Sequence, residues 1–90
     1  MKKGTQIIYV PAHAEGDVTH PDVEEGFVMS VHEAGAFCRY WNMLNRLDLR
    51  TKSTSELTPF AYLREQTPPF THDQKHVNKT IMAIELESLQ

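Results

Sequence analysis

The sequence predicts a mostly β, α+β fold: a small SH3-like or Tudor-like antiparallel barrel with a C-terminal α-helix. Three observations point to it. Short β-prone runs at residues 6–10, 26–31 and 36–41 are bounded by turn residues. The second and third runs are joined by His32-Glu33-Ala34-Gly35, a glycine-containing break of hairpin type. Near the end of the chain, Val77, Ile81 and Ile84 recur at helical spacing. An open antiparallel sheet covered by the helix fits the same pattern, and the sequence leaves the two open.

Gln6-Ile7-Ile8-Tyr9-Val10 is the first strand, closed by Pro11. Residues 12–25 run polar, with Gly16 and Pro21 as breakers, and read as a long loop. In the next strand Phe27, Met29 and Val31 are expected on one face, with Val28 and Ser30 on the other. Across the turn, Ala36, Cys38 and Tyr40 alternate with Phe37, Arg39 and Trp41. Both faces carry bulk, which predicts a strand covered by a barrel interior on one side and by a neighbour or ligand on the other. A connection over 42–46 leads to a further strand over 47–53, where Leu47, Leu49 and Thr51 oppose Asp48, Arg50 and Lys52.

Residues 56–64 read as a short helical turn, with Thr58 as N-cap and Pro59 at the first helical position. Thr67-Pro68-Pro69 is a stiff spacer, and Thr71-His72-Asp73-Gln74 has the spacing of a capping box. A helix running to about Leu89 should follow. Beside its first apolar stripe, Met82, Leu86 and Leu89 make an adjoining one.

Ninety residues make one domain. Residues 1–66 are assigned to the barrel. Residues 67–90 are assigned to spacer and helix, packed on the same barrel or on a second copy. A chain this short buries only about 60–65% of its unfolded surface, so a homo-oligomer is expected. The net charge of −3 counts against a dedicated nucleic-acid binder. The single cysteine, Cys38, permits no intrachain disulfide and suits a reducing compartment. Met1-Lys2-Lys3 leads into Gly4-Thr5-Gln6, not into the apolar core of a signal peptide. No apolar run approaches the roughly 20 residues of a membrane span. The expected location is the cytoplasm of the host cell, with no membrane partner.

Over residues 3–58 the chain carries Gly4-Thr5-Gln6-Ile7-Ile8-Tyr9-Val10-Pro11, His20-Pro21-Asp22, Gly26-Phe27-Val28, Phe37-Cys38-Arg39-Tyr40-Trp41 and Leu49-Arg50-Thr51-Lys52-Ser53. In these runs it resembles a group of small uncharacterised proteins common in bacteriophage and prophage genomes. The resemblance implies a phage setting and a compact β fold, and brings no activity with it.

Four groups of side chains carry possible chemistry. His13, Glu15, Asp17, His20 and Asp22 in the long loop are metal-ligand types, but their spacing matches no strong motif. Asp17 and Asp22 are expected to cap turns, and neither metal nor cofactor is assigned. Arg39, Trp41, Arg50, Thr51, Lys52, Ser53 and Ser55 offer cations, an indole and hydroxyls. Paired strands bring them to one surface as the expected site for an anionic ligand, through bidentate arginine and a stacking platform. Cys38 shares a strand face with Ala36 and Tyr40, which reads as an inert buried thiol, and no nucleophile elbow frames Ser53 or Ser55. No enzyme is expected. The terminal helix offers Val77, Ile81 and Ile84 to its own barrel or to a partner.

These readings favour a non-enzymatic phage-type binding protein that sequesters a small anionic, nucleotide-derived signal of host defence. The alternative is a protein-interaction module that inhibits a host protein through Tyr9, Tyr40, Trp41 and the acidic loop. Nucleic-acid binding through Arg39, Arg50 and Lys52 ranks third.

Overall fold

The computed structural model describes residues 1–43 and 56–88. Five antiparallel strands form one sheet: β1 (Gln6–Tyr9), β2 (Glu24–Val31), β3 (Gly35–Tyr40), β4 (Glu56–Pro59) and β5 (Leu63–Glu65). Their order across the sheet is β4-β3-β2-β1-β5. One helix, α1 (Gln74–Ser88), follows. The architecture is therefore α+β with an open sheet. The expected closed barrel is not formed, because no ladder joins β4 to β5 among the described residues.

The sheet is nevertheless curled. Its two edge strands are connected only by a turn of 3₁₀-helix at Phe60–Tyr62. Five flat strands would hold those edges about 19 Å apart, four spacings of about 4.8 Å. A 3₁₀ link with a rise of about 2 Å per residue spans less than half of that. The sheet must bend round to let the chain pass from one edge to the other.

The concave side holds one core, made of Ile7, Val28, Ala36, Cys38, Tyr40 and Leu63, with Tyr9 packed against it. The other side holds a second core. There Phe27 meets Val77, Ile81 and Ile84 of α1, with Met29 and Trp41 alongside. On this side α1 packs on Phe27 and Met29 of β2 and on Trp41, just past the end of β3, while of the β3 residues facing the same way Arg39 is buried and Phe37 half-buried. Burying each of those α1 side chains contributes about 1.5–3 kcal/mol.

Several local expectations are corrected. A bulge between Val28 and Ser30 resets the register of the hairpin, so Ser30 faces Phe37 and Val31 faces Ala36. Ser30 therefore joins the helix side and Val31 the concave side, the reverse of simple alternation. The region read as a helical turn is strand, 3₁₀ turn and strand. Thr58 is not an N-cap: it lies in β4 opposite Ala36, and Pro59 precedes the 3₁₀ turn. The place beside β3 over Gly35–Cys38 is filled by β4. The strand expected over 47–53 lies outside the described residues.

The capping box is also replaced. Asp73 caps α1: its Oδ1 accepts from the Lys75 amide at 2.7 Å and its carbonyl from the Val77 amide at 3.0 Å. Thr71 Oγ1 instead donates to Glu25 at 3.1 Å, and Gln74 Nε2 donates to the Gly4 carbonyl at 2.8 Å. These bonds tie the helix start to β2 and to the chain entering β1. The stripe expected to adjoin the buried one lies instead on the far side of α1, where Met82 and Leu86 are exposed, 63% and 60%. Leu89 lies outside the described residues.

Candidate functional site

Arg39 and Trp41 leave β3 on the side that α1 covers. Arg39 sits opposite Phe27 in the ladder and is only 7% exposed. Burial pushes its guanidinium pKa down from the usual arginine value. Trp41 opens the 3₁₀ turn Trp41–Met43 and is half-buried against Phe27, ring centroids 5.1 Å apart.

Two histidines that sequence reasoning passed over complete this surface. The His72 ring lies 4.0 Å from the indole at 23°, and the His76 ring 5.4 Å from it at 15°. The imidazoles are 5.9 Å from each other. Rings on opposite faces of the indole would stand roughly 7 Å apart or more, at two stacking distances. Both imidazoles therefore tile one face. The four-residue spacing of His72 and His76 at the helix start was the available signal, but it named no partner. The indole Nε1–H is buried and has no hydrogen-bond acceptor among the described residues. A buried donor left unmatched costs about 1–3 kcal/mol.

Arg50, Thr51, Lys52, Ser53 and Ser55 lie outside the described residues. The chain enters that segment just after Met43 and leaves it at Glu56, the first residue of β4.

A second surface lies at the mouth of the curled sheet. Tyr9, Tyr40 and Tyr62 line a cleft of about 230 Å³ with Glu24, Leu57 and Pro59. Tyr9 meets Tyr40 and Tyr62 edge to face, at 6.1 and 6.4 Å. Tyr40 is buried, its hydroxyl 2.7 Å from that of Thr58. Of the expected aromatic set, Tyr9 and Tyr40 come together here, while Trp41 belongs to the other face.

The long loop is a succession of tight turns. A 3₁₀ turn at Ala12–Ala14 is followed by bonds from the Asp17 amide to the Ala14 carbonyl (2.9 Å), His20 to Asp17 (3.2 Å) and Val23 to His20 (3.0 Å). Asp17 does cap a turn, accepting from the Thr19 amide at 2.9 Å and its hydroxyl at 2.6 Å. The Thr19 hydroxyl, then the Thr19 amide, hold the Asp17 carboxyl below its ordinary pKa. His13 Nε2 and Asp22 Oδ2 are 2.6 Å apart, and the Asp22 amide donates to His20 Nδ1 at 3.0 Å.

Cys38 is 1% exposed, and its thiol donates to the Ala36 carbonyl at 3.6 Å. Burial pushes its pKa above the ordinary 9.0.

Fold and surfaces together define a small α+β protein: an open, curled antiparallel sheet with a helix across one face and an aromatic cleft on the other. Among the described residues no helix is long and apolar enough to cross a membrane. Comparison with protein-family models, curated proteins and solved structures gives no match.

Proposed function

We propose that this chain is a non-enzymatic, phage-type binding protein on an SH3-like curled sheet. It captures a small anionic ligand with a planar base, a nucleotide-derived signal of host defence. The observation that supports this reading best is the unmatched indole N–H of Trp41, beside two imidazoles and on the same sheet face as Arg39. An anion's oxygens would supply the acceptor that this donor does not find among the described residues. Imidazole and guanidinium groups form charge-assisted bonds to the same anion. Arg50, Lys52 and the hydroxyls of Thr51, Ser53 and Ser55, which lie outside the described residues, are assigned to the same site by their residue types. A homo-oligomer deepens a pocket that one 90-residue chain does not enclose by itself.

The test is native mass spectrometry of the protein from its expression host, followed by titration with cyclic and linear nucleotides. Binding should be saturable and should be lost in Trp41→Ala and Arg50→Ala, with circular dichroism unchanged. Undiminished binding by both variants places the ligand elsewhere.

One observation favours the second reading, a protein-interaction module. The tyrosine cleft carries Glu24 and is flanked by the exposed side chain of Leu57, 50% exposed. Aromatic-lined clefts take proline-rich or cationic segments. Tyr62→Ala should then release a stoichiometric host partner in a pull-down while nucleotide binding persists.

A further inference from the structure

The long loop assembles three metal-ligand side chains that its spacing did not single out. The ligand atoms of His13, His20 and Asp22 all lie within 4.8 Å of one another. We propose that His13, His20 and Asp22 bind a divalent transition-metal ion of the zinc class, with open coordination positions toward the adjoining cleft.

The donor set selects the ion. Two imidazoles and one carboxylate suit zinc, cobalt or nickel, whereas calcium and magnesium take oxygen ligands. Zinc donors sit about 2.0–2.2 Å from the ion, so neighbouring donors in a tetrahedral site stand about 3.4 Å apart. The adjustment required, an opening of the His13–Asp22 pair from 2.6 Å and a contraction of the wider separations from at most 4.8 Å, is small for side chains of which His13 and Asp22 are largely exposed, 62% and 61%.

The protein holds these groups ready. The turns from Pro11 to Val23 fix the backbone that carries all three. The His13 and His20 rings already meet edge to face at 5.2 Å. His13 Nε2 and Asp22 Oδ2, 2.6 Å apart, already face each other across the place the ion would take. On binding, the ion replaces that contact, one imidazole proton stays on Nδ1, and any proton on Nε2 leaves to solvent. His20, whose ring is oriented by the Asp22 amide donating to its Nδ1, presents a ring nitrogen to the same place.

The surroundings favour a cation. Glu15, Asp17 and Glu24 belong to the same loop and its exit. A cleft of about 360 Å³ lined by Tyr9, Pro11, His13, Asp22 and Asn42 lies beside the cluster. Three protein donors leave positions for water or a ligand atom on that side, as in open zinc sites.

The experiment is calorimetric titration of the untagged, chelator-treated full chain with Zn²⁺ alone, repeated with Co²⁺ to read the visible ligand-field bands. The expected result is equimolar, saturable binding, weakened about tenfold or more in His20→Ala and in Asp22→Asn. The double variant His72→Ala/His76→Ala, which removes the histidine pair on Trp41, should bind as the parent does. Circular dichroism confirms that each variant is folded. The proposal is overturned by absence of saturable binding in the parent chain, by full binding in His20→Ala, or by loss of binding only in the His72/His76 variant.

Discussion

The imidazole of His72 lies on the indole of Trp41, centroids 4.0 Å apart and planes 23° from parallel. This stack joins the end of β3 to the residues that lead into α1. It also makes Trp41, the sole tryptophan, an internal reporter of helix docking. His72→Ala should cost about 0.5–1.5 kcal/mol in urea unfolding. Tryptophan emission should shift to longer wavelength in the folded variant as the indole is wetted. Unchanged emission and stability would show that the stack does not form in solution.

The hairpin depends on the absence of a side chain at Gly26. A Cβ there would overlap the Arg39 carbonyl oxygen and crowd the Tyr40 ring at 2.8 Å. The first obstacle is backbone and does not swing away. Gly26→Ala should lower unfolding free energy by about 1–3 kcal/mol or more. Gly16→Ala is the control, since nothing lies within 4 Å of its Cβ, although its φ of +81° adds strain of its own. Equal losses at the two positions would remove the packing argument for Gly26.

Cys38 gives a pH prediction. Burial raises its folded pKa above the ordinary 9.0, so the unfolded chain releases the thiol proton first. The stability tied to the neutral thiol is intact below about pH 9 and declines as pH rises toward the folded pKa. Cys38→Ala should flatten that alkaline decline in Tm. Iodoacetamide at pH 8 should modify the folded protein slowly and the urea-unfolded protein quickly. Equal rates would mean that the thiol is open in the folded state.

The two stripes of α1 should separate stability from association. Ile84 is 3% exposed in the core against Phe27, and Ile84→Ala should cost about 2–5 kcal/mol. Met82 and Leu86 leave an uncovered apolar strip on the opposite side. Met82→Ser/Leu86→Ser should leave unfolding of the monomer within about 0.5 kcal/mol of the parent. In light scattering the double variant should run at the 10.3 kDa monomer mass, and the parent above it. A monomeric parent at tens of micromolar would remove the oligomer.

What the sequence determined was local. Alternation and turn chemistry located the first strand and the hairpin, because strand period and a glycine turn act within a few residues. The stripe of Val77, Ile81 and Ile84 named the buried face of α1 for the same reason. The tertiary structure decided what depended on distant partners. Residues 56–65 became two strands and a turn because β3 and β1 offer edges to pair with, as Ala36 opposite Thr58 and Tyr9 opposite Leu63 show. The bulge beside Val28 reversed Ser30 and Val31, a change that alternation does not encode. Gln74 was drawn from the capping box to the Gly4 carbonyl, and Asp73 took its place. The candidate sites divided in the same way. Residue type drew attention to Trp41, His13, His20 and Asp22. Only folding set His72 and His76 on the indole and closed the loop into one cluster, because such contacts depend on where the chain returns in space.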